Sequence, residues 1–212
     1  MKALIFDLDG TLIDSAPEIA GVLNSVMADE GQAAFSLAEV TRFIGNGAPT
    51  LVKRAMRARG MDLAQHGRIL AVLLDRYQDA HDLTVLYPGV RTALGRWQAA
   101  GIPMGLCTNK PIAAARKALV HLGLADFFDC VIGGDSLATR KPDPLMLTHV
   151  IAELRAEEVL YIGDSEVDAA TAQAARVEFA LFTRGYRKAA ISEIPHDRAF
   201  ADWDQFAAEL VV

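Results

Sequence analysis

The sequence lacks several features that mark membrane, secreted and nucleic-acid-binding proteins. No apolar run approaches the roughly 18 residues that a membrane-spanning helix requires, so no such helix is predicted. Two cysteines, Cys107 and Cys130, are too few for a disulfide framework, and each lies in an apolar run where a buried thiol is expected. The chain has 21 basic and 27 acidic residues, a formal net charge of −6 and no basic stripe. We therefore predict no membrane and no nucleic-acid partner.

The N-terminal segment does not have the pattern of a targeting signal. Its apolar run ends at Asp7, and no small-residue cleavage site follows. We expect a cytoplasmic protein that is monomeric or weakly self-associating. Because the charge balance is acidic, an anionic substrate would need local positive charge at its binding site.

Strand and helix patterns alternate along most of the 212 residues. Short apolar runs typical of strands buried on both faces occur at 3–8, 103–107, 130–133, 159–162 and 178–182. Helical patterns separate them at roughly 89–100, 111–122, 143–154, 166–175 and 203–210. This alternation predicts an α/β fold with a parallel sheet flanked by helices, and in such sheets ligands bind beyond the carboxyl ends of the strands.

Residues 15–83 interrupt this alternation with helical signals alone. Apolar residues recur there at helical spacing, beginning with Ile19, Val22, Leu23, Val26 and Met27. Ser15 and Glu18 have the spacing of a capping box at the start of that helix. Glycines divide the segment into four predicted helices. The sequence therefore predicts a core made of 1–14 and 84–212, with a helical cap domain inserted at 15–83.

Polar residues that can take part in catalysis or ligand binding follow the first two long strands. Asp7 and Asp9 end the first strand and, two positions apart, project to the same side of an extended chain. Taken alone, the pair fits a solvated turn as well as it fits a site with a cation or a shared proton. Thr108 and Asn109 follow a later strand and precede a helix, whose free N–H groups favour an anion. Simple helix capping by either residue remains an alternative.

Two further loops add a cation and more carboxylates. Lys141 precedes the helix at 143–154, and Asp164 follows the strand at 159–162. Ser165 and Asp168 have capping-box spacing, so Asp168 could cap a helix while orienting a metal shell. Each signal is weak by itself. Because all of them follow strands of one predicted parallel sheet, together they predict a phosphate and metal site.

Four ordered motifs resemble those of the haloacid dehalogenase (HAD) superfamily. They are Phe6-Asp7-Leu8-Asp9-Gly10-Thr11-Leu12, then Thr108, then Lys141, then Gly163-Asp164-Ser165-x-x-Asp168. The resemblance covers essentially the whole chain and implies a Rossmann-like parallel sheet core, the HAD fold, with an inserted four-helix cap. Asp9, which dehalogenases lack, makes the resemblance one to the phosphotransferases of the superfamily.

Shorter strings resemble the bacterial phosphoglycolate phosphatases within the helical-cap subfamily. They include Ile44-Gly45-Asn46-Gly47-Ala48, Thr108-Asn109-Lys110-Pro111 and Gly185-Tyr186. The expected reaction is hydrolysis of 2-phosphoglycolate, a small phosphorylated metabolite, to glycolate and phosphate. Related enzymes share several of these strings, so a phosphatase or mutase acting on pyrophosphate or a sugar phosphate remains open. A phospho-acceptor signalling module is the alternative from another class, since receiver domains also combine an acceptor Asp, acidic metal ligands, a Thr and a Lys.

The resemblance implies a catalytic role for Asp7, Asp9, Thr108 and Lys141. Asp7 would be the nucleophile that forms an aspartyl-phosphate, and Asp9 would protonate the leaving group and then activate water. Thr108 and Lys141 would bind the phosphate oxygens. Mg²⁺ is the expected cofactor, with Asp7, Asp9 (through its backbone carbonyl), Asp164 and Asp168 as metal residues.

The same resemblance implies a substrate-binding surface that the core and the cap share. Its expected members are Asn109 and Lys110 from the core and Arg42, Gly45, Asn46 and Gly47 from the cap. Glycines allow close backbone approach to a ligand. Arg42 and Lys53 are both candidates to pair with the carboxylate of glycolate, while an ordinary turn between helices is the alternative for residues 45–47.

Overall fold

The computed structural model describes residues 2–78, 80 and 82–210. Each of the ranges predicted above, 1–14, 15–83 and 84–212, includes one or two residues outside that set. Eight strands are described, in chain order: β1 (Lys2–Phe6), β2 (Ile13–Asp14), β3 (Val85–Leu86), β4 (Met104–Cys107), β5 (Cys130–Ile132), β6 (Glu158–Gly163), β7 (Glu178–Phe182) and β8 (Arg198–Phe200). Cys107 and Cys130 are both free thiols; Cys107 is buried as expected, but Cys130, in the edge strand β5, is only half-buried.

Six of these strands form one parallel sheet in the order β5-β4-β1-β6-β7-β8. Alternate residues of each strand face opposite sides of the sheet. Leu4 and Phe6 therefore join one apolar cluster, while Ala3 and Ile5 join another on the other face. Burial on both faces explains the continuous apolar runs, and the predicted α/β fold is confirmed.

Nine α-helices are described within these ranges: α1 (Ala16–Asp29), α2 (Leu37–Phe43), α3 (Ala48–Ala58), α4 (His66–Tyr77), α5 (Val90–Ala99), α6 (Ile112–His121), α7 (Leu145–Leu154), α8 (Glu166–Ala175) and α9 (Trp203–Glu209). The five after β3 begin and end within two residues of the predicted bounds. Helix α7 starts two residues late because Asp143 precedes Pro144, and the residue before a proline is disfavoured in helical conformation.

Three short strands were not predicted. β2 and β3 have two residues each and pair antiparallel, which is too short for any periodicity in the sequence. β8 lies at the edge of the sheet, and its three residues are exposed or half-buried. An edge strand of this length lacks the apolar signature of a buried strand.

Helices α1 to α4 share an apolar cluster of their own, to which Leu23, Met27, Val52, Met56 and Ile69 contribute fully buried side chains. This cluster is distinct from the two on the faces of the sheet. The assignment of 15–83 as a separate cap domain stays a prediction. None of the helices in the described ranges is long and apolar enough to cross a membrane.

The predicted capping box at the start of α1 is wrong. Ser15 makes no side-chain cap; its Oγ instead donates to Asp9 Oδ1 at 2.6 Å. Glu18 Oε2 accepts the backbone N–H of Leu83 at 2.6 Å. Both side chains bond to groups elsewhere in the fold, which local spacing cannot predict.

Candidate active site

Four predicted site residues meet at the carboxyl edge of the sheet. Asp7 follows β1, Thr108 follows β4, Asp164 follows β6, and Lys141 comes from the loop before α7. Backbone hydrogen bonds extend the strand pairing to this point, with Asp7 N donating to Ile162 O at 2.9 Å. All four side chains are buried. The parallel topology thus places residues far apart in sequence around one point.

Three buried carboxylates lie close enough to hold a metal ion. Asp7, Asp164 and Asp168 each offer an oxygen within 4.8 Å of the others. Burial raises the pKa of Asp7 to about 6, against the influence of Lys141, and raises the pKa of Asp164 well above its usual value. Buried carboxylates with raised pKa values need a nearby positive charge to stay ionised, and a hard divalent cation suits their oxygen donors.

Lys141 is the cation inside this group. Its Nζ lies 2.6 Å from Asp168 Oδ1 and 2.9 Å from Asp7 Oδ1, and it donates to the hydroxyl of Tyr161 at 2.8 Å. The approach to Asp7 is an ion pair without the angle of a hydrogen bond. Asp7 Oδ1 therefore accepts no hydrogen bond from any group in the described part of the chain. A buried carboxylate oxygen that has an ion-pair partner but no hydrogen-bond donor fits a site for a metal ion or a phosphate group.

Both oxygens of Asp168 are already engaged. Oδ1 accepts from Lys141 and from Tyr161 at 2.8 Å, and Oδ2 accepts from the N–H and the hydroxyl of Ser165. Burial opposes its ionisation, but Lys141 and these donors lower the pKa of Asp168 below its usual value. The predicted capping box at the start of α8 is confirmed. The geometry favours Asp168 as an anchor for Lys141 over direct metal ligation.

Asp164 is fixed by neighbours from two other loops. Thr11 Oγ1 donates to its Oδ1 at 2.9 Å, and the backbone N–H of Tyr186 donates to its Oδ2 at 2.5 Å. Gly10 and Gly185 make this contact possible. A Cβ on Gly185 would lie 2.2 Å from the carbonyl oxygen of Gly10, and Gly10 itself has φ +87°.

The side chain of Asp9 lies apart from the three clustered carboxylates. Its Oδ1 accepts from Lys110 Nζ at 2.9 Å in an ion pair whose lysine is buried and whose aspartate is half-buried. Lys110 Nζ also donates to the hydroxyl of Tyr77, the last residue of α4. Although burial opposes its charge, the partners Asp9 and Tyr77 raise the pKa of Lys110 above its usual value.

Asn109 joins the loop of Lys141 to the segment between α2 and α3. Its side-chain amide donates at 3.0 Å to Gly45 O and to Lys141 O, and its Oδ1 accepts from Lys141 N at 3.0 Å. One buried amide therefore fixes the backbone on both sides of Lys141. Thr108 Oγ1 accepts the N–H of Lys110 at 3.2 Å, which leaves its hydroxyl hydrogen free to point at another acceptor.

A small cavity lies between this edge of the sheet and helices α1, α3 and α4. Its volume of about 50 Å³ is enough for a few water molecules. The core contributes polar walls: Asp7, Asp9, Thr108, Asn109 and Lys110. The helical segment contributes mainly apolar walls, including Ile19, Val22, Ala48, Leu51 and Leu73. Lys110 is the one cationic residue among the described residues that line it.

The structure separates the predicted cap contacts into two groups. Gly45 and Gly47 line the cavity, but Asn46 and Arg42 do not. Asn46 Oδ1 accepts from Arg54 at 2.8 Å, and Arg42 is exposed in the last turn of α2. Of the six predicted substrate-binding residues, the cavity thus brings together Gly45, Gly47, Asn109 and Lys110.

Tyr77 and Tyr161 are site residues that the sequence patterns did not reveal. Tyr77 occupies a helical position where an aromatic ring usually means packing, and Tyr161 lies in a strand that reads as wholly apolar. Their hydroxyl groups contact Lys110 and Lys141 respectively. The one signal available was the polar tip of a buried tyrosine, which usually finds a hydrogen-bond partner.

Comparisons with known proteins agree with this geometry. The family model described as haloacid dehalogenase-like hydrolase matches residues 1–176. A phosphoglycolate phosphatase of Cereibacter sphaeroides is 49% identical over 208 residues, which cover 97% of this chain and 95% of that protein. One of Rhodospirillum rubrum is 40% identical, covering 98% of this chain and 88% of that protein. Among solved structures, a predicted phosphoglycolate phosphatase from Haemophilus somnus superposes with a TM-score of 0.88 at 28% identity, covering 98% of this chain and 97% of the other. With its parallel sheet and its cluster of buried aspartates, this chain belongs to the haloacid dehalogenase-like hydrolases.

Proposed function

We propose that this protein is a magnesium-dependent phosphatase that hydrolyses 2-phosphoglycolate to glycolate and phosphate. The observation that carries the proposal is the buried group of Asp7, Asp164 and Lys141, of which Asp7 also lines a small cavity. Among the described residues, Lys110 is the one cation that lines this cavity. Relatives that are 40% and 49% identical over nearly the whole chain carry the name phosphoglycolate phosphatase, which supports the choice of substrate.

The proposed reaction proceeds in two displacements. A carboxylate oxygen of Asp7 attacks phosphorus, and the bond from phosphorus to the glycolate oxygen breaks. Asp9, which takes up a proton when the substrate binds, gives it to that oxygen and then takes a proton from the water that attacks the aspartyl-phosphate. The second displacement releases phosphate and restores Asp7. Thr108 and Lys141 bind the phosphate oxygens, where negative charge is concentrated in the transition state.

Asp7 and Asp164, together with the backbone carbonyl of Asp9, are the proposed holders of Mg²⁺. Their buried oxygens and raised pKa values fit a hard divalent cation. When bound, the ion neutralises charge between the carboxylates and the phosphate dianion. Asp168 serves this site by keeping Lys141 in place, since its own oxygens are occupied.

Removal of divalent metal is expected to eliminate activity and lower thermal stability. EDTA should reduce phosphate release to background, and added Mg²⁺ should restore it. Because a ligand of the folded state stabilises it, Mg²⁺ should also raise Tm in the wild type. In Asp164→Asn that rise should shrink or vanish. Full activity in EDTA, or an equal rise in Tm for both proteins, would count against the proposed site.

Lys110 is proposed to select the carboxylate of the substrate. Lys110→Met should lower kcat/KM for 2-phosphoglycolate by about 10- to 100-fold, the range of a charge-assisted hydrogen bond. Because Lys110 also pairs with Asp9, kcat/KM for ethyl phosphate, which lacks the carboxylate, should fall as well, but by a smaller factor. Lys53→Met, at an exposed lysine of α3, is the matched control and should leave kcat/KM unchanged for both substrates. Equal losses on the two substrates would contradict selection by Lys110.

The other readings make different predictions for a substrate panel. A phosphatase for pyrophosphate or sugar phosphates would prefer those compounds, and a mutase would need a bisphosphate activator while releasing little phosphate. A signalling module would accumulate a long-lived acyl phosphate without turnover. Cytoplasmic location, the monomeric or weakly associated state and the lack of a nucleic-acid partner stay predictions.

A further inference from the structure

Tyr77 connects the helical segment to Lys110, the one cation that lines the cavity among the residues that the structure describes. It ends α4 and is 7% exposed. Its hydroxyl accepts a hydrogen bond from Lys110 Nζ, and the same Nζ lies 4.4 Å from the centroid of its ring. Lys110 is thus held from the core side by Asp9 and from the helical side by Tyr77.

The ammonium group of Lys110 has more N–H donors than these two partners use. An ammonium has three N–H donors, and Asp9 and Tyr77 take two of those of Lys110 among the described residues. The third is available to an anion in the cavity. A lysine side chain has four rotatable bonds, so two fixed partners are needed to define where its third donor points.

We propose that Tyr77 is a positioning residue for substrate selection, whose hydroxyl holds Lys110 where its remaining N–H meets the carboxylate of the substrate. The inference rests on the proposed function, since it concerns how 2-phosphoglycolate is told apart from esters without a carboxylate. It assigns a task to the hydroxyl alone. The ring has a separate role, because it belongs to the apolar cluster of α1 to α4.

Tyr77→Phe tests this directly because it removes the hydroxyl and keeps the ring. The readout is kcat/KM for 2-phosphoglycolate divided by kcat/KM for ethyl phosphate. We expect this ratio to fall about three- to tenfold, the effect of one lost hydrogen bond, with ethyl phosphate changed less than twofold. Tyr87→Phe is the matched control. Tyr87 is half-buried and does not line the cavity, so its variant should keep the wild-type ratio.

The outcomes separate this inference from the proposed function. A wild-type preference for 2-phosphoglycolate that survives in Tyr77→Phe overturns the positioning role and leaves the proposed function standing. Equal losses on the two substrates mean a purely structural role and also overturn it. A wild type without any preference overturns the proposed function and this inference with it.

Discussion

Replacing Asp7 by asparagine is expected to abolish turnover of 2-phosphoglycolate, with a loss of roughly 10⁴-fold or more, the scale at which loss of a nucleophile acts. The amide cannot form the acyl phosphate, and it is a weaker metal ligand than a carboxylate. Folding should not suffer. The Asp7 carboxylate is buried with its pKa raised to about 6, so its charge is unfavourable in the metal-free fold. The neutral amide relieves that cost, and Lys141 keeps Asp168 as its ion-pair partner.

The measurement is phosphate release at saturating Mg²⁺, together with thermal unfolding of the metal-free protein. Asp126→Asn makes the same chemical change at an exposed position and should keep wild-type activity. The expected Tm of Asp7→Asn without metal equals or exceeds that of the wild type. Turnover within tenfold of the wild type would exclude Asp7 as the nucleophile.

Lys141→Met is expected to remove both activity and stability. Lys141 is 2% exposed and pairs with Asp168 and Asp7, so its loss leaves two buried carboxylates without their cation. Breaking a buried ion pair from one side lowers the free energy of unfolding by about 3–5 kcal/mol. Loss of a phosphate-binding cation should lower kcat by about 10²- to 10³-fold, as for other groups that stabilise transition-state charge.

A double variant separates the ion pair from general damage to the core. In the double variant, Asp168→Asn removes the carboxylate charge that Lys141→Met leaves unpaired. The double variant should therefore lose less free energy of unfolding than the sum of the losses in the two single variants. Urea unfolding of the wild type, the two single variants and the double variant gives the coupling free energy between the two residues. Strict additivity, or a loss below about 1 kcal/mol in Lys141→Met, would contradict a structural role for the pair.

The sequence predicted the sheet and the convergence of the main site residues for a simple physical reason. Strands buried on both faces carry continuous apolar runs, and parallel topology places all of their carboxyl ends on one edge. Asp7, Thr108 and Asp164 directly follow such strands, so finding the strands was enough to bring the residues together. Ser165 and Asp168 were equally predictable because a capping box is set by local spacing.

Contacts between distant segments could not be predicted from the sequence. No local signal says that Ser15 bonds to Asp9 and not to its own helix. Arg42 has the charge expected of a carboxylate-binding residue, but its helix leaves it exposed. The hydroxyl of Tyr77 reaches Lys110 from 33 residues away in the chain. Side chains that read the leaving group depend on how helices pack over the sheet, and periodicity does not encode that arrangement.

Capture of the phosphorylated enzyme tests directly whether Asp7 is the nucleophile. Wild-type protein turning over 2-phosphoglycolate with Mg²⁺ is quenched in acid, reduced with borohydride, digested and sequenced by mass spectrometry. Borohydride converts an acyl phosphate of aspartate into homoserine, so we expect homoserine at position 7 only when substrate is present. Homoserine at another aspartate, or none at position 7 while phosphate is being released, would contradict a covalent route through Asp7.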